Sequence, residues 1–175
     1  IARTLHAAGY DLALHYRHSL ADVQALCAEL DAARAGSTLP IAAELADVDA
    51  LPGIVEKCIS RFGRLDALVN NASTFFPTPV GQITAAQWDD LFASNARAPL
   101  FLAQAAAPHL RAARGAIVNL VDIYAQRPLP GHPVYCMAKA ALAMMTLSLA
   151  KELAPEVRVN AVAPGAVLWP ESGKA

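Results

Sequence analysis

Apolar residues fall along this chain in short blocks that alternate between helical and strand-like spacing. Ile1, Leu5 and Ala8 keep helical spacing and stop at Gly9, a residue suited to closing a helix. Asp11 to Tyr16 predicts a short buried-type strand, and Leu20 to Ala33 predicts a helix with Leu20, Val23, Leu26, Cys27 and Leu30 on one face. Gly36 and Ser37 mark a turn, after which Thr38 to Ala43 predicts a strand, Asp49 to Phe62 a helix and Ala67 to Asn70 another strand. One long helix is expected from Ala85 to Leu110, with Pro99 as its breaking point. Gly115 to Val121, Val134 to Leu153 and Arg158 to Ala163 complete the order as strand, helix, strand.

Strands separated by helices of this length need crossover connections, which are right-handed and produce a parallel sheet covered on both faces. The expected fold class is therefore α/β, a Rossmann-type doubly wound parallel sheet in a single domain over residues 1–175. Ligands of such sheets bind beyond the carboxyl ends of the strands. Polar residues gather there: Arg17, His18 and Ser19 after the first strand, Glu44 after the second, Asn71 to Phe76 after the third, Asp122 after the fourth, and Pro164 to Trp169 after the fifth. There are no internal repeats or low-complexity linkers.

Composition narrows the class of partner. With 55% hydrophobic and 17% charged residues the chain reads as globular, and a net charge of −1 offers no field for nucleic acid, so a small molecule is the expected ligand. Cys27, Cys58 and Cys136 are odd in number and lack metal-ligand spacing, which argues against disulfides or zinc and fits a reducing cytoplasm. The longest uniformly apolar runs, such as Ala140 to Met145, fall short of a membrane span, and no signal peptide opens the sequence.

The candidate chemistry is centred on Tyr135 and Lys139. Four residues apart on a helix, they share a face, and an ammonium beside a phenol is expected to pull the tyrosine pKa down from about 10. Asp122 leaves the preceding strand just before the loop that turns back into this helix, so its carboxylate can fold over the phenol. By itself, a tyrosine and lysine at this spacing is an ordinary surface contact; the strand end and helix opening around it are what suggest catalysis.

Asn95, Asp122, Tyr135 and Lys139, together with Asn70-Asn71-Ala72 and Pro164-Gly165, resemble the short-chain dehydrogenase/reductase family over nearly the whole chain. The resemblance implies that Tyr135 is the proton donor, that Lys139 binds the nicotinamide ribose and lowers the tyrosine pKa, and that Asn95 holds a proton-relay water. Most members carry serine where this chain has Asp122 and glycine where it has Ser73. Both departures occur in the pteridine reductases, whose pterin-binding segment the run from Asn70 to Pro79 also resembles; dihydromonapterin reductases lie in the same neighbourhood.

That resemblance implies NADPH-dependent reduction of a pterin ring C=N bond. A flat heteroaromatic substrate needs an aromatic platform and polar groups at its edge, which Phe75, Ser73, Asp122 and Tyr135 can supply. Leu129 and Trp169 are weaker candidates beside the same pocket. On the cofactor side, His15, Tyr16, Arg17, His18 and Ser19 place a guanidinium and an imidazole at a helix start, a setting for the extra phosphate of NADPH. Ser19 with Asp22 also reads as a helix capping box. Glu44 and Leu45 fall where the family contacts adenine, and Asn71, Ala72, Ser73, Tyr135, Lys139, Pro164 and Gly165 complete the implied cofactor set.

Family members begin with a central strand and a glycine-rich turn, and they end with further elements after the substrate loop. This sequence is therefore expected to be a fragment lacking both, its sheet divided into two parts with unpaired edges. A cytoplasmic homotetramer is the assembly the resemblance implies, and the apolar helix from Ala138 to Leu149 has faces to spare for it. A carbonyl or 3-oxoacyl reductase of the same family, and a catalytically silent NADP-binding sensor or scaffold, are the alternatives. Asp122 and Phe75 count against the first, and the set Asn95, Tyr135 and Lys139 against the second.

Overall fold

The structure is a computed structural model that describes residues 1–165. Its elements follow the order α1 (Ala2–Ala7), β1 (Leu12–Tyr16), α2 (Leu20–Ala33), β2 (Thr38–Ala42), α3 (Leu51–Phe62), β3 (Ala67–Asn70), α4 (Ala85–Phe92), α5 (Ala98–Ala113), β4 (Ala116–Leu120), α6 (Pro133–Glu152) and β5 (Arg158–Val162). All strand pairs are parallel. β1 pairs with β2 from Leu12 opposite Thr38 to Tyr16 opposite Ala42. β4 lies between β3 and β5, with Ile117 opposite both Leu68 and Val159.

The division into two partial sheets is thus observed. Between β1 and β3 runs a cavity of about 800 Å³, walled by Leu12 to His15 on one side and Leu65 to Ala72 on the other. Among the described residues, no strand lies between these two edges.

Local chemistry explains the elements. α3 buries Leu51, Val55 and Cys58 along one face, takes Pro52 in its first turn and closes at Gly63, whose φ of 75° is a left-handed conformation that glycine adopts without a Cβ clash. α4 opens with a complete capping box, Thr84 bonding to the Gln87 backbone and the Gln87 side chain returning to Thr84. Gly115 starts β4 where a Cβ would stand 2.5 Å from the Asp66 carbonyl oxygen, so only glycine fits there. The main core joins Leu51, Val55, Leu102, Ala106, Leu110 and Ile117 with Val157 and Val159; a second cluster packs Leu91, Val134 and Tyr135 against Phe76, Phe92 and Tyr124.

Three expectations need correction. The long helix breaks before Pro99, in a π-helical segment at Ala93–Arg97 that separates α4 from α5. Such a wide turn inserts an extra residue and rotates the face of the helix beyond it, and here it carries Asn95. Ser19 occupies the N-cap position of α2 without bonding its side chain to the helix, so the capping box with Asp22 does not form. Finally, α6 is long and apolar enough to cross a membrane by length and composition. Its apolar residues face two ways: Val134, Ala138 and Leu142 are buried, whereas Met137, Met144 and Leu147 are exposed.

Candidate active site

Every described candidate lies at or beyond the carboxyl end of a strand or on the helix that returns toward it, as the parallel topology requires. Asp122 follows β4 and opens a single 3₁₀ turn, its Oδ1 accepting a hydrogen bond from the Tyr124 N–H at 3.0 Å. That bond leaves Oδ2 to accept from the Tyr135 hydroxyl at 2.7 Å. The carboxylate is therefore aimed by its own backbone before it meets the phenol.

Tyr135 and Lys139 share the buried face of α6, as their spacing predicts. The Lys139 ammonium lies 5.7 Å from the Tyr135 ring centroid and donates to the Leu120 carbonyl at 2.9 Å. The predicted lowering of the tyrosine pKa is not what this arrangement produces. Burial first, then the hydrogen bond to Asp122 and its negative charge, push the phenol well above its ordinary range, with the Ser73 hydroxyl acting in the opposite sense. Burial lowers the pKa of Lys139, and the charge of Asp122 opposes that shift. Tyr135 is thus held as a protonated donor, its hydrogen directed at a carboxylate.

Asn95 is fully buried in the π-helical segment. Its Nδ2 donates to the carbonyls of Thr74 and Leu91, each at 2.9 Å, and its Oδ1 accepts from the Ser73 hydroxyl at 2.7 Å. The side chain is spent on fixing the loop after β3. The water-holding role implied for Asn95 therefore does not use a free side-chain amide. Thr74 reinforces the loop, its hydroxyl 2.7 Å from that of Ser94.

Beyond this anchored stretch, Phe75 is 55% exposed and its ring meets the Tyr135 ring nearly edge-on, with centroids 4.8 Å apart. Its other neighbour is His132, stacked almost parallel at 4.7 Å. Leu129 is half-buried on the loop into α6, its N–H directed to the Cys136 sulfur at 3.4 Å. Trp169 lies outside the described residues.

The residues expected at the cofactor divide into free and engaged groups. His15 Nε2 lies 2.9 Å from the Ala43 carbonyl, which ties β1 to the segment after β2. Tyr16 ends β1 half-buried. Arg17 is exposed, donating to His18 Nε2 at 2.8 Å and standing 3.6 Å from the Glu44 carboxylate. Leu45 is buried in the main core, so its contact with an adenine is limited to the cavity wall it helps to form. Asn71 and Ala72 line the same cavity from the end of β3, and Pro164 and Gly165 are exposed after β5. A guanidinium and an unbonded Ser19 side chain at the start of a fourteen-residue helix suit a phosphate, and Lys139 retains donors for ribose hydroxyls. These parts fit a phosphorylated nicotinamide nucleotide.

Sequence reading missed two features. His132 could have been suspected, because it precedes Pro133 at the N-cap of the helix that carries Tyr135. The second is a buried chain in which Asn70 Nδ2 donates to Asn119 Oδ1 at 2.8 Å and Asn119 Nδ2 donates to the Thr146 hydroxyl at 2.9 Å. It joins the ends of β3 and β4 to α6, and no local pattern announces it.

A family profile described as short chain dehydrogenase matches residues 1–174. The chain belongs to the short-chain dehydrogenase family and is an oxidoreductase of the kind that uses a nicotinamide cofactor. Among curated relatives, pteridine reductase 1 of Leishmania tarentolae is 38% identical over an alignment that takes in 98% of this chain and 73% of that protein. The 3-oxoacyl-[acyl-carrier-protein] reductase FabG of Staphylococcus aureus is 35% identical, over 96% of this chain and 69% of its own. L-xylulose reductase of Mus musculus is 40% identical over 75% of this chain and 53% of its own.

Proposed function

We propose that this protein is an NADPH-dependent pteridine reductase that reduces a C=N bond of a dihydropterin. The observation that carries the reading is the Asp122 carboxylate hydrogen-bonded at 2.7 Å to the Tyr135 phenol, beside an exposed phenylalanine. A serine in place of Asp122 would polarise a carbonyl, whereas a carboxylate can grip a ring N–H and, once it has taken the Tyr135 proton, pass that proton to a ring nitrogen. The likeness to pteridine reductase 1 of Leishmania tarentolae agrees with this choice.

Reduction forms one C–H and one N–H bond while the cofactor is oxidised. NADPH, when bound, supplies the hydride. The chain supplies the proton: Tyr135 and Asp122 hold it between two oxygens and release it to the ring nitrogen, while the Lys139 ammonium balances the negative charge left behind. Ser73 and Asn95 hold the loop after β3, and Phe75 on that loop offers a stacking face. Arg17, His18 and Ser19 bind the phosphate that distinguishes NADPH from NADH, and Lys139 also orients the ribose. Asn71, Ala72, Pro164 and Gly165 form the rest of the cofactor cleft, with Leu129 at the substrate side.

The same reading makes residues 1–175 part of one reductase domain, working in the cytoplasm as a homotetramer. The outward apolar row Met137, Met144 and Leu147 on α6 supports such an assembly. The substrate is tested by following NADPH oxidation with dihydrobiopterin and with an acetoacetyl thioester. The reading predicts a kcat/KM for the pterin about a hundredfold above that for the thioester. The reverse order makes the protein a carbonyl reductase, and NADPH binding without turnover of either makes it a silent binder.

A further inference from the structure

Phe75 and His132 reach each other from different parts of the fold. Phe75 stands on the loop after β3, and His132 is the N-cap residue of α6, one turn before Tyr135. Their rings are tilted by only 5° with centroids 4.7 Å apart, an offset stack, while Phe75 meets Tyr135 at 80°.

The two partners are not equally anchored. The His132 N–H donates to the Leu129 carbonyl at 3.2 Å, and its own carbonyl accepts from Cys136 at 3.0 Å. Its ring Nδ1 lies 3.0 Å from the Pro130 carbonyl oxygen, which can only accept, so Nδ1 carries the hydrogen. Backbone and ring are thus both tied to the entry of the catalytic helix. Phe75 has an exposed side chain with no polar group of its own, so its ring direction is set by the rings it touches.

We propose that His132 is a positioning residue for substrate selection: it holds the Phe75 ring edge-on to Tyr135, giving the pocket a rigid aromatic wall that favours a flat heteroaromatic substrate over a flexible aliphatic carbonyl. This inference rests on the pterin reading of the same site. A flat ring that meets a wall already in place does not have to order that wall on binding, and the advantage is lost when Phe75 is free to turn. His132 touches neither the reacting atoms nor the proton, so its removal acts on binding and leaves the chemical step alone.

The test uses the full natural protein loaded with NADPH and the variants His132→Ala, His132→Leu, His132→Phe, Phe75→Ala and the double variant Phe75→Ala/His132→Ala. Two quantities are read: kcat and KM for dihydrobiopterin, and the Kd of a 2,4-diaminopteridine by equilibrium titration. His132→Ala and His132→Leu are expected to raise KM and Kd about three- to tenfold, with kcat held within about twofold. His132→Phe, which restores an aromatic face, is expected to recover both constants, and His132→Ala adds nothing in the Phe75→Ala background.

Unmoved constants in His132→Ala and His132→Leu overturn the inference, as does a full loss that persists without Phe75. Should the alanine variant fail to fold, the leucine and phenylalanine variants carry the contrast, since both fill the space and only one stacks. A wild-type protein that neither binds the diaminopteridine nor turns over dihydrobiopterin sinks the pterin reading and this inference with it. Intact wild-type binding that is indifferent to position 132 sinks this inference alone.

Discussion

The three-stranded sheet and the two-stranded sheet have the same parallel geometry, yet they are held by different chemistry. Around β3, β4 and β5 the side chains of Leu110, Ile117 and Asn119 are completely buried, and the polar chain Asn70–Asn119–Thr146 ties two strand ends to α6. Around β1 and β2 the buried apolar set is smaller, with Leu12, Cys27, Leu30 and Ile41. There, Asp31 accepts from Ser37 and Thr38, and Ser37 meets His6, while the surface ion pairs Arg3 with Glu29, Arg34 with Asp11 and Arg17 with Glu44 add further ties. The residues proposed to handle the proton belong to the first region, those proposed to select the cofactor to the second. Chemistry that depends on a 2.7 Å contact sits where packing fixes the backbone, and recognition of a mobile charged group sits where side chains can adjust.

Several substitutions test that contrast. Lys139→Met is expected to lower turnover about a thousandfold, while leaving thermal stability at neutral pH equal to or above that of the wild type. The stability sign comes from burial, which depresses the Lys139 pKa below its ordinary 10.5. Keeping the ammonium charged in the fold carries a penalty that is absent above the unfolded pKa, grows as pH falls from there toward the lowered folded pKa, and is complete below it. The variant's relative advantage should therefore shrink above pH 10.5. A melting temperature that falls with the activity would mean that Lys139 supports the fold.

Asn119→Ala removes two buried hydrogen bonds and strands the Asn70 amide, so urea unfolding should show a loss of about 3 kcal/mol. Arg17→Ala should reduce the preference for NADPH over NADH about tenfold in kcat/KM, with kcat for NADPH held. Arg3→Ala, in the exposed pair with Glu29, should leave the unfolding midpoint unchanged. Similar losses for Asn119→Ala and Arg3→Ala would erase the distinction between the two regions.

How much of the molecule is legible in its sequence depends on how far apart the cooperating residues lie. The lengths of β3 and α2, the placement of Tyr135 and Lys139 on one helical face, and the divided sheet all come from local periodicity or from one resemblance. The direction of the tyrosine shift is not legible in this way, because spacing reports who is adjacent and says nothing about burial, which here outweighs the neighbouring ammonium. Pro99 is the obvious breaking point of the long helix, but Asn95, engaged with Ser73 and Thr74 from another loop, sits in the π-helical segment that makes the break. The pairing of Phe75 with His132 likewise exists only after the chain has folded.

Asp122 is proposed to make this site a pterin reductase by working with Tyr135 on a ring nitrogen. The most direct test is NADPH oxidation with dihydrobiopterin and with an acetoacetyl thioester, in wild type and in Asp122→Ser. Pterin turnover should fall at least about a hundredfold in the variant while thioester turnover is kept or improved. Pterin turnover indifferent to the serine, or activity confined to the thioester in both proteins, would contradict the account.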